Sequence, residues 1–133
     1  MLQVLIVQDD PQSLEAMCQA VASFGYDPVR AGTGQAAFDR CKMGDIRMVI
    51  ANADMPGMDG KSLCRLIRAS ATNGYVYFVL LNNASDQQSI VDGLDAGADS
   101  IITLPLHPTE LRLHLNAGQR LIGLESRDLI IFS

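Results

Sequence analysis

The stretch VIANADMPGMDG, residues 49–60, runs from a short apolar segment into a polar loop. Its apolar residues follow one another without alternation, as in a strand that is covered on both faces of a sheet. Asn52 and Asp54 come where this strand should end, and Pro56 and Gly57 follow in the loop. The stretch therefore predicts a buried parallel strand whose carboxyl end opens onto polar side chains.

Four further apolar runs have the same character, and amphipathic segments separate the five runs. Five strand–helix units in 133 residues indicate right-handed crossovers. We therefore expect one α/β domain, with a parallel sheet between two layers of helices. The predicted strands are Leu2–Val7, Pro28–Arg30, Met48–Ala51, Tyr75–Leu81 and Ser100–Thr103.

The segments between the strands carry apolar residues at three- and four-residue steps, which is helical spacing. Gly25 is placed to end the first helix, and Pro108 to begin a fifth. Ser13, Thr33 and Asp59 are expected to cap the first three helices. The expected buried positions are Leu14, Met17, Val21 and Phe24 in the first helix, Ala37, Phe38 and Cys41 in the second, Leu63, Leu66 and Ile67 in the third, and Ile90, Val91 and Leu94 in the fourth.

Composition and charge exclude several classes of protein. The chain is 48% hydrophobic and 19% charged, the balance of a globular domain. Its net charge is −5 and its Lys and Arg residues form no cluster, so we expect no contact with nucleic acid. The first apolar run is too short for a membrane span or a secretory leader, and Cys18, Cys41 and Cys64 form no CxxC pair. These features favour a cytoplasmic protein with reduced thiols and no membrane contact.

The residues that follow each predicted strand form the candidate functional site. In an open parallel sheet, ligands bind at the carboxyl ends of the strands, where the strand order reverses. The residues at these ends are Gln8, Asp9, Asp10, Asn52, Asp54, Asn82, Asn83, Leu104 and Pro105.

Three segments carry a resemblance to a known family: VLIVQDDP at 4–11, MPGMDG at 55–60 and GLDAGADSIITLP at 93–105. In their order and spacing they are similar to the receiver domain of two-component response regulators, over residues 2 to 117. The resemblance implies a flavodoxin-like (βα)5 three-layer sandwich with strand order 2-1-3-4-5. It also implies a site where a strand-end aspartate accepts a phosphoryl group, assisted by Mg²⁺, an acidic pair, a hydroxyl group and a lysine.

At the positions that match this site, the sequence departs from the family pattern. Asn52 stands where the acceptor aspartate is expected, and an amide is neither a nucleophile nor a charged metal ligand. Leu104 stands in place of the lysine, so the acceptor and its counter-charge are lost together. Gln8 and Asp9 stand at the positions of the acidic pair, Asn82 at that of the hydroxyl residue and Asn83 at that of the small residue beside it. Of the five functional positions, Asp9 alone has the expected residue type.

The remaining carboxylates each have two interpretations. Asp9 is either a residual metal ligand or a cap of the first helix, and Asp10 is a further carboxylate beside it. Asp54 is either a loop carboxylate or a displaced phosphoryl acceptor. Together, Asp9, Asp10 and Asp54 would make a weak Mg²⁺ site with loop carbonyl groups.

The other positions suggest a neutral pocket. Asn82 and Asn83 are expected to hydrogen-bond with Asn52 and the loop backbone, and Leu104 is expected to pack against its neighbours. The resemblance also implies a cis peptide bond between Leu104 and Pro105. A pocket for a neutral metabolite among the three asparagines has no positive support in the sequence.

The output side of the domain also departs from the family pattern. The resemblance places Ile101 where a movable aromatic residue is usual, so we expect a domain fixed in one state. Residues 1–118 are expected to form the receiver-like domain, and residues 119–133 to extend the last helix toward an effector domain. A seven-residue repeat favours either pairing of that helix with a second copy or packing on its own domain. The repeat comprises Leu115, Ile122 and Leu129, with Leu111, Leu121 and Leu124 nearby.

We therefore interpret the chain as a receiver-like regulatory module of a phosphorelay, and not as an enzyme. It would not accept a phosphoryl group, and it would act through contacts with a histidine kinase, an effector domain or a second copy of itself. One alternative is a functional switch that uses Asp54 with a divalent cation. Another is a flavodoxin-like small-molecule binder, although the QDDP segment at 8–11 would repel a phosphate.

Overall fold

The computed structural model describes residues 1–70, 74–83 and 85–132, with side chains as far as Gly123. The strands are β1 (Gln3–Val7), β2 (Asp27–Ala31), β3 (Met48–Asn52), β4 (Tyr77–Asn82) and β5 (Ser100–Thr103). All four pairings between neighbouring strands are parallel, and the order is β2-β1-β3-β4-β5. The flavodoxin-like fold predicted from the sequence is thereby confirmed.

Five helices connect and follow the strands. They are α1 (Pro11–Ser23), α2 (Gly34–Cys41), α3 (Gly60–Ala69), α4 (Gln87–Asp95) and α5 (Pro108–Phe132). Across the described ranges, no helix combines the length and the hydropathy that a membrane crossing requires.

Each face of the sheet buries its own core, and the interior strands β1, β3 and β4 contribute to both. Every residue of β3 and β4 is buried, which explains why their sequences read as continuous apolar runs. On one face, Leu80 packs with Leu63 and other side chains of α2 and α3. On the other, Ile50 packs with Leu115 and other side chains of α1 and α5. Alternation along the strands thus distributes the apolar residues between two helical layers.

The caps of α2 and α3 are confirmed, but the cap of α1 is not the expected residue. Thr33 and Asp59 accept hydrogen bonds from backbone N–H groups in the first turns of their helices. In α1 the cap is Asp10, which accepts from the Ser13 backbone N–H (3.0 Å) and the Ser13 hydroxyl (2.6 Å). Pro11 occupies the first helical position, where its fixed φ is favourable, and this moves the cap to the preceding residue. The assignments of Ser13 and Asp9 as caps are therefore wrong.

Three expected core residues are instead exposed. Leu66 on α3 and Val91 and Leu94 on α4 keep 38%, 47% and 50% of their surface accessible. In α4, Gly93 faces the sheet, and a Cβ atom there would lie 2.6 Å from the Ile101 side chain. The close approach of α4 through Gly93 turns its larger apolar residues outward.

The first half of α5 packs on its own domain. Leu111 and Leu115 are fully buried, and Ile122 is half-buried against the same core. The Tyr26 hydroxyl donates a hydrogen bond to Asn116 Oδ1 (2.7 Å), which ties the helix to the end of α1. Leu115 and Ile122 are therefore not available for pairing with a second copy, whereas Leu124 and Leu129 lie outside the described side chains.

A cluster around Arg68 fastens α3 to the amino-terminal end of β4 and to the loop before β5. The guanidinium donates to the Asp99 carboxylate (2.9 Å), the Gly97 carbonyl (2.8 Å) and the Val76 carbonyl (2.6 Å). Asp99 also accepts from the Phe78 backbone N–H (2.8 Å). Both side chains are mostly buried, so this ion pair is screened less than a surface pair.

The Arg68→Met variant should unfold more easily than the wild type. The change removes an ion pair and three hydrogen bonds to two backbone carbonyls while keeping an apolar stem of similar length, at a cost of about 2–3 kcal/mol. Urea denaturation followed by circular dichroism measures this loss. The control is Arg65→Met, one turn away and exposed, which should stay close to wild type. Equal stability of the two variants would show that the cluster contributes nothing beyond an exposed arginine.

Candidate functional site

The carboxyl ends of β1 and β3 bring Gln8 and Asn52 side by side. The two strands are direct neighbours in the sheet, with Val7 opposite Ala51. Only 6% of Gln8 and 9% of Asn52 is accessible, so both amide groups lie inside the edge of the domain. Buried polar groups have a large cost unless they are paired, so the arrangement depends on where their hydrogen bonds go.

Gln8 and Asn52 hydrogen-bond to each other, and the backbone fixes their orientation. Asn52 Nδ2 donates to Gln8 Oε1 (3.2 Å), and the same oxygen accepts from the Asp10 backbone N–H (3.3 Å). Asn52 Oδ1 accepts from the Asp54 backbone N–H (3.4 Å). Since a backbone N–H can only donate, the oxygen of each amide is identified without ambiguity.

The three carboxylates at this edge are exposed and do not form a group. Asp10 is committed to its cap, and the two hydrogen bonds from Ser13 lower the pKa of its carboxyl group. Asp54 accepts a hydrogen bond from Asn83 Nδ2 (2.8 Å). Among the described residues, the Asp9 carboxylate forms no hydrogen bond or ion pair with another side chain.

The residues at this edge do not fit a Mg²⁺ ion. In the ranges described, no three His, Cys, Asp or Glu side chains lie close enough together to hold a metal. The two most buried positions supply neutral amides whose oxygens already accept from backbone N–H groups. A hard divalent cation requires carboxylate oxygens at a shared point, and the site lacks them.

The remaining candidate residues complete a neutral edge. Asn82 is buried, and its carbonyl accepts from the Leu104 backbone N–H (2.9 Å). The Leu104 side chain packs against the core beneath α1 and α5, as expected, and the bond to Pro105 is cis. The expected bond of Asn83 to Asn52 is not found, because the Asn83 amide is directed to Asp54 instead.

Sequence reasoning missed an apolar groove beside these residues. It has a volume of about 360 Å³ and lies between α1 and the segment that joins β5 to α5. Ala16 and Ala20 lie on one wall and Leu104 and Leu106 on the other, with Gln8 also in the lining. The sequence did contain a signal for this groove. Ala16 and Ala20 are small residues four positions apart on α1, and Leu104 is apolar at the position where the resemblance implies a lysine.

The cysteines lie away from this edge, and their surroundings do not favour the reactive thiolate form. All three are buried as free thiols. Burial raises the pKa of Cys41 and of Cys64 to about 11, so neither is a thiolate at neutral pH.

Comparison with known proteins gives a consistent result. The family model for the response regulator receiver domain matches residues 4–116. The DNA-binding response regulator MtrA of Mycolicibacterium smegmatis is 31% identical over 117 residues, which is 88% of this chain and 50% of that protein. The transcriptional regulatory protein AruR of Pseudomonas aeruginosa is 32% identical over 113 residues, 81% of this chain and 45% of that protein. The chain therefore spans about half the length of these relatives.

Solved structures agree on the fold. The receiver domain of the Francisella response regulator 1452 superposes with a TM-score of 0.84 at 22% identity, covering 90% of this chain and 98% of that one. The signal receiver domain of a histidine kinase from Syntrophus aciditrophicus has a TM-score of 0.79 at 28% identity, covering 92% and 91%.

The Asn52→Asp variant should be less stable than the wild type at neutral pH. The new carboxyl group is buried and faces Gln8 Oε1, so its pKa is higher in the folded than in the unfolded chain. The variant then loses stability as the pH rises through the unfolded value near about 4, and at pH 7 the deficit should be about 1–3 kcal/mol. Urea denaturation at several pH values measures this dependence.

The control for this prediction is Gln87→Glu, which makes the same change of amide to acid at an exposed position of α4. That variant should differ little from the wild type. If Asn52→Asp shows no greater deficit at pH 7 than at pH 4, the amide pair does not disfavour a charge at this position.

Proposed function

Because the chain belongs to the response regulator receiver domain family, we propose that it is a regulatory module that does not accept a phosphoryl group. It acts instead through contacts with other signalling proteins, and it is not an enzyme. The observation that carries this proposal is the hydrogen bond between the Asn52 and Gln8 amides at the phosphoryl-acceptor position.

The amide of Asn52 is unsuited to phosphoryl transfer in both chemical and structural terms. Its nitrogen is a very poor nucleophile, and it is already donating to Gln8. Its oxygen accepts from the Asp54 backbone N–H and carries no charge for a metal. The reaction would have to break this buried pair before it could begin.

The loss of positive charge supports the same conclusion. Leu104 occupies the position of the family's lysine and is packed into the core beneath α1 and α5. A phosphoryl group at Asn52 would therefore have neither a covalent anchor nor a counter-charge at this position. Loss of both partners leaves a neutral site, whereas loss of one would leave a buried charge unpaired.

Asp54 as the acceptor remains the alternative function. Its carboxylate is exposed beyond the end of β3 and accepts from Asn83. We consider it the weaker candidate because, in the described part of the chain, it belongs to no group of three side chains that could hold a cation.

The partners are inferred from the family. A histidine kinase and an effector domain are the proposed partners, with residues 119–133 leading from the domain toward the effector. One relative is named a DNA-binding regulator, but this chain spans half of that protein. Because the net charge here is −5, we propose that this domain itself does not contact nucleic acid and that it acts in the cytoplasm.

Exposed apolar residues on α4 and α5 support an interaction role. Val91 and Leu94 project from α4, while Leu113 and Leu121 project from α5. Ile101 lies beneath α4 against Gly93, where a rigid aliphatic side chain replaces an aromatic one. We infer that the domain presents this surface constantly, without a phosphorylation-dependent change.

Incubation with acetyl phosphate and Mg²⁺ should leave the intact mass of the wild-type chain unchanged. The reason is that Asn52 supplies no nucleophilic carboxylate at the acceptor position and Leu104 supplies no counter-charge. The triple variant Gln8→Asp, Asn52→Asp, Leu104→Lys should form a single phosphoryl adduct. Asn52→Asp restores the acceptor, Gln8→Asp restores an acidic metal ligand, and Leu104→Lys restores the positive charge.

The wild-type result needs a receiver with an intact acceptor aspartate as a positive control. An adduct on the wild type that disappears in Asp54→Ala would contradict the proposal and establish the alternative. An adduct that persists in Asp54→Ala would contradict both.

The exposed side of α5 should mediate association with a second copy. Leu113 and Leu121 lie two turns apart and form an outward stripe, unlike Leu115 and Ile122. In sedimentation equilibrium the double variant Leu113→Glu, Leu121→Glu should raise the dimer Kd at least about tenfold, since two apolar contacts are lost. Met43→Glu, at an exposed site after α2, is the control and should not change the Kd. A monomeric wild type at high protein concentration would rule out self-association through α5.

A further inference from the structure

The groove between α1 and the β5–α5 connection has the form of a small binding site. Its volume of about 360 Å³ lies within the range of ligand pockets. Its apolar walls come from Ala16, Met17 and Ala20 on one side and Leu104, Leu106 and Pro108 on the other.

One polar group of the largely buried Gln8 has no partner among the residues that the structure describes. Gln8 Oε1 is occupied by Asn52 and by the Asp10 backbone, but Gln8 Nε2 donates to no residue in the described ranges. Those ranges contain no fully buried side-chain N or O atom that lacks a partner. The NH₂ group of the Gln8 amide therefore retains some access to solvent. Gln8 is 94% buried (6% is accessible) and lines the groove, so the groove is the side from which a ligand would approach its amide NH₂ group.

The orientation of the Gln8 amide group is fixed by the hydrogen bonds to its oxygen. The Asp10 backbone N–H donates to the oxygen of the Gln8 amide. If the amide were turned over, its NH₂ group would face this N–H, and two donors would meet without an acceptor. Gln8 therefore presents a donor and not an acceptor. A ligand that satisfies it has to supply an acceptor such as a carbonyl oxygen.

The charges around the groove select against an anion. Asp9 and Asp10 lie next to Gln8 in the chain, and the family's lysine is replaced by Leu104. Ser13 also lines the groove, but its hydroxyl already donates a hydrogen bond to the Asp10 carboxylate. A carboxylate or a phosphate would meet negative charge without a cation to balance it.

We propose that this groove binds a neutral, mainly apolar small molecule whose carbonyl oxygen accepts a hydrogen bond from Gln8 Nε2. The ligand fills the space between α1 and Leu104, and its polar atom accepts from the Gln8 amide NH₂ group, which has no partner among the described residues. This proposal does not depend on the loss of phosphoryl acceptance. A phosphoryl adduct on Asp54 would refute the proposed function and leave the groove proposal standing.

The test uses prodan, a neutral naphthyl ketone whose emission shifts to the blue in apolar surroundings. Titration of the chain with prodan should give a saturable blue shift. The chain contains no Trp that would interfere with its emission. Dimethylaminonaphthalene, which has the same ring system without the ketone, should compete at least about tenfold more weakly because it cannot satisfy the buried donor.

Ala16→Phe fills the groove from an exposed helical position and should weaken prodan binding at least about tenfold. The matched control is Ala36→Phe, an equally exposed alanine in the first turn of α2, which should bind within about twofold of the wild type. Gln8→Met removes the donor at similar length and should reduce the preference for prodan over its ketone-free analogue to about one.

Four results would overturn the proposal. The first is the absence of saturable binding by the wild type. The second is equal binding by the Ala16→Phe and Ala36→Phe variants, which would place prodan elsewhere. The third is equal affinity of the wild type for the two naphthalenes, which would show an apolar surface without a role for Gln8 Nε2. Dimerisation that Ala16→Phe abolishes, without prodan binding, would assign the groove to a second copy and also refute the proposal.

Discussion

The paired amides of Gln8 and Asn52 at the ends of β1 and β3 are the constraint on which the site depends. Parallel strands bring their carboxyl ends to one edge of the sheet, and here Gln8 and Asn52 are buried side by side at that edge. If both were carboxylates they would need a cation to neutralise them. As amides they hydrogen-bond to each other, and the backbone N–H groups of Asp10 and Asp54 donate to their two oxygens. The edge is thus stable without a metal.

The identity of Leu104 follows from the same constraint. A lysine directed at a neutral pair would have no partner, and desolvating its ammonium group would have a cost without compensation. A leucine at this position gains free energy by packing against the core under α1 and α5. Under the proposed function, the loss of the acceptor and the loss of the lysine would be coupled changes; the apolar groove beside α1 has Leu104 in its lining.

Sequence patterns predicted the strands better than the helical surfaces. Continuous apolar runs identify strands buried on both sides, and β5 was predicted with its correct bounds, Ser100–Thr103. In α4 the periodicity of Val91 and Leu94 suggested burial, but the close approach at Gly93 turns these side chains to solvent. Periodicity shows which residues share a face, whereas the tertiary packing decides which face is inward.

Site residues could be placed at the strand ends from the sequence, but their hydrogen bonds could not. Asn83 was expected to reach Asn52 and instead reaches Asp54, because Asn52 already uses both ends of its amide. The direction of each amide depends on backbone N–H groups in loops, and those loops have no sequence pattern that fixes their geometry.

The same network connects the groove to the surface of the domain. Gln8 Oε1 accepts from the Asp10 backbone, and the Asp10 side chain caps α1. A ligand that engages Gln8 Nε2 would therefore rigidify a residue that is joined on one side to the start of α1 and on the other to Asn52 and the loop after β3. In a receiver with an acceptor aspartate, charge at the strand ends changes the surrounding loops. Here a neutral ligand could act on the same loops through hydrogen bonds alone, with a coupling free energy limited to its differential affinity for the two arrangements.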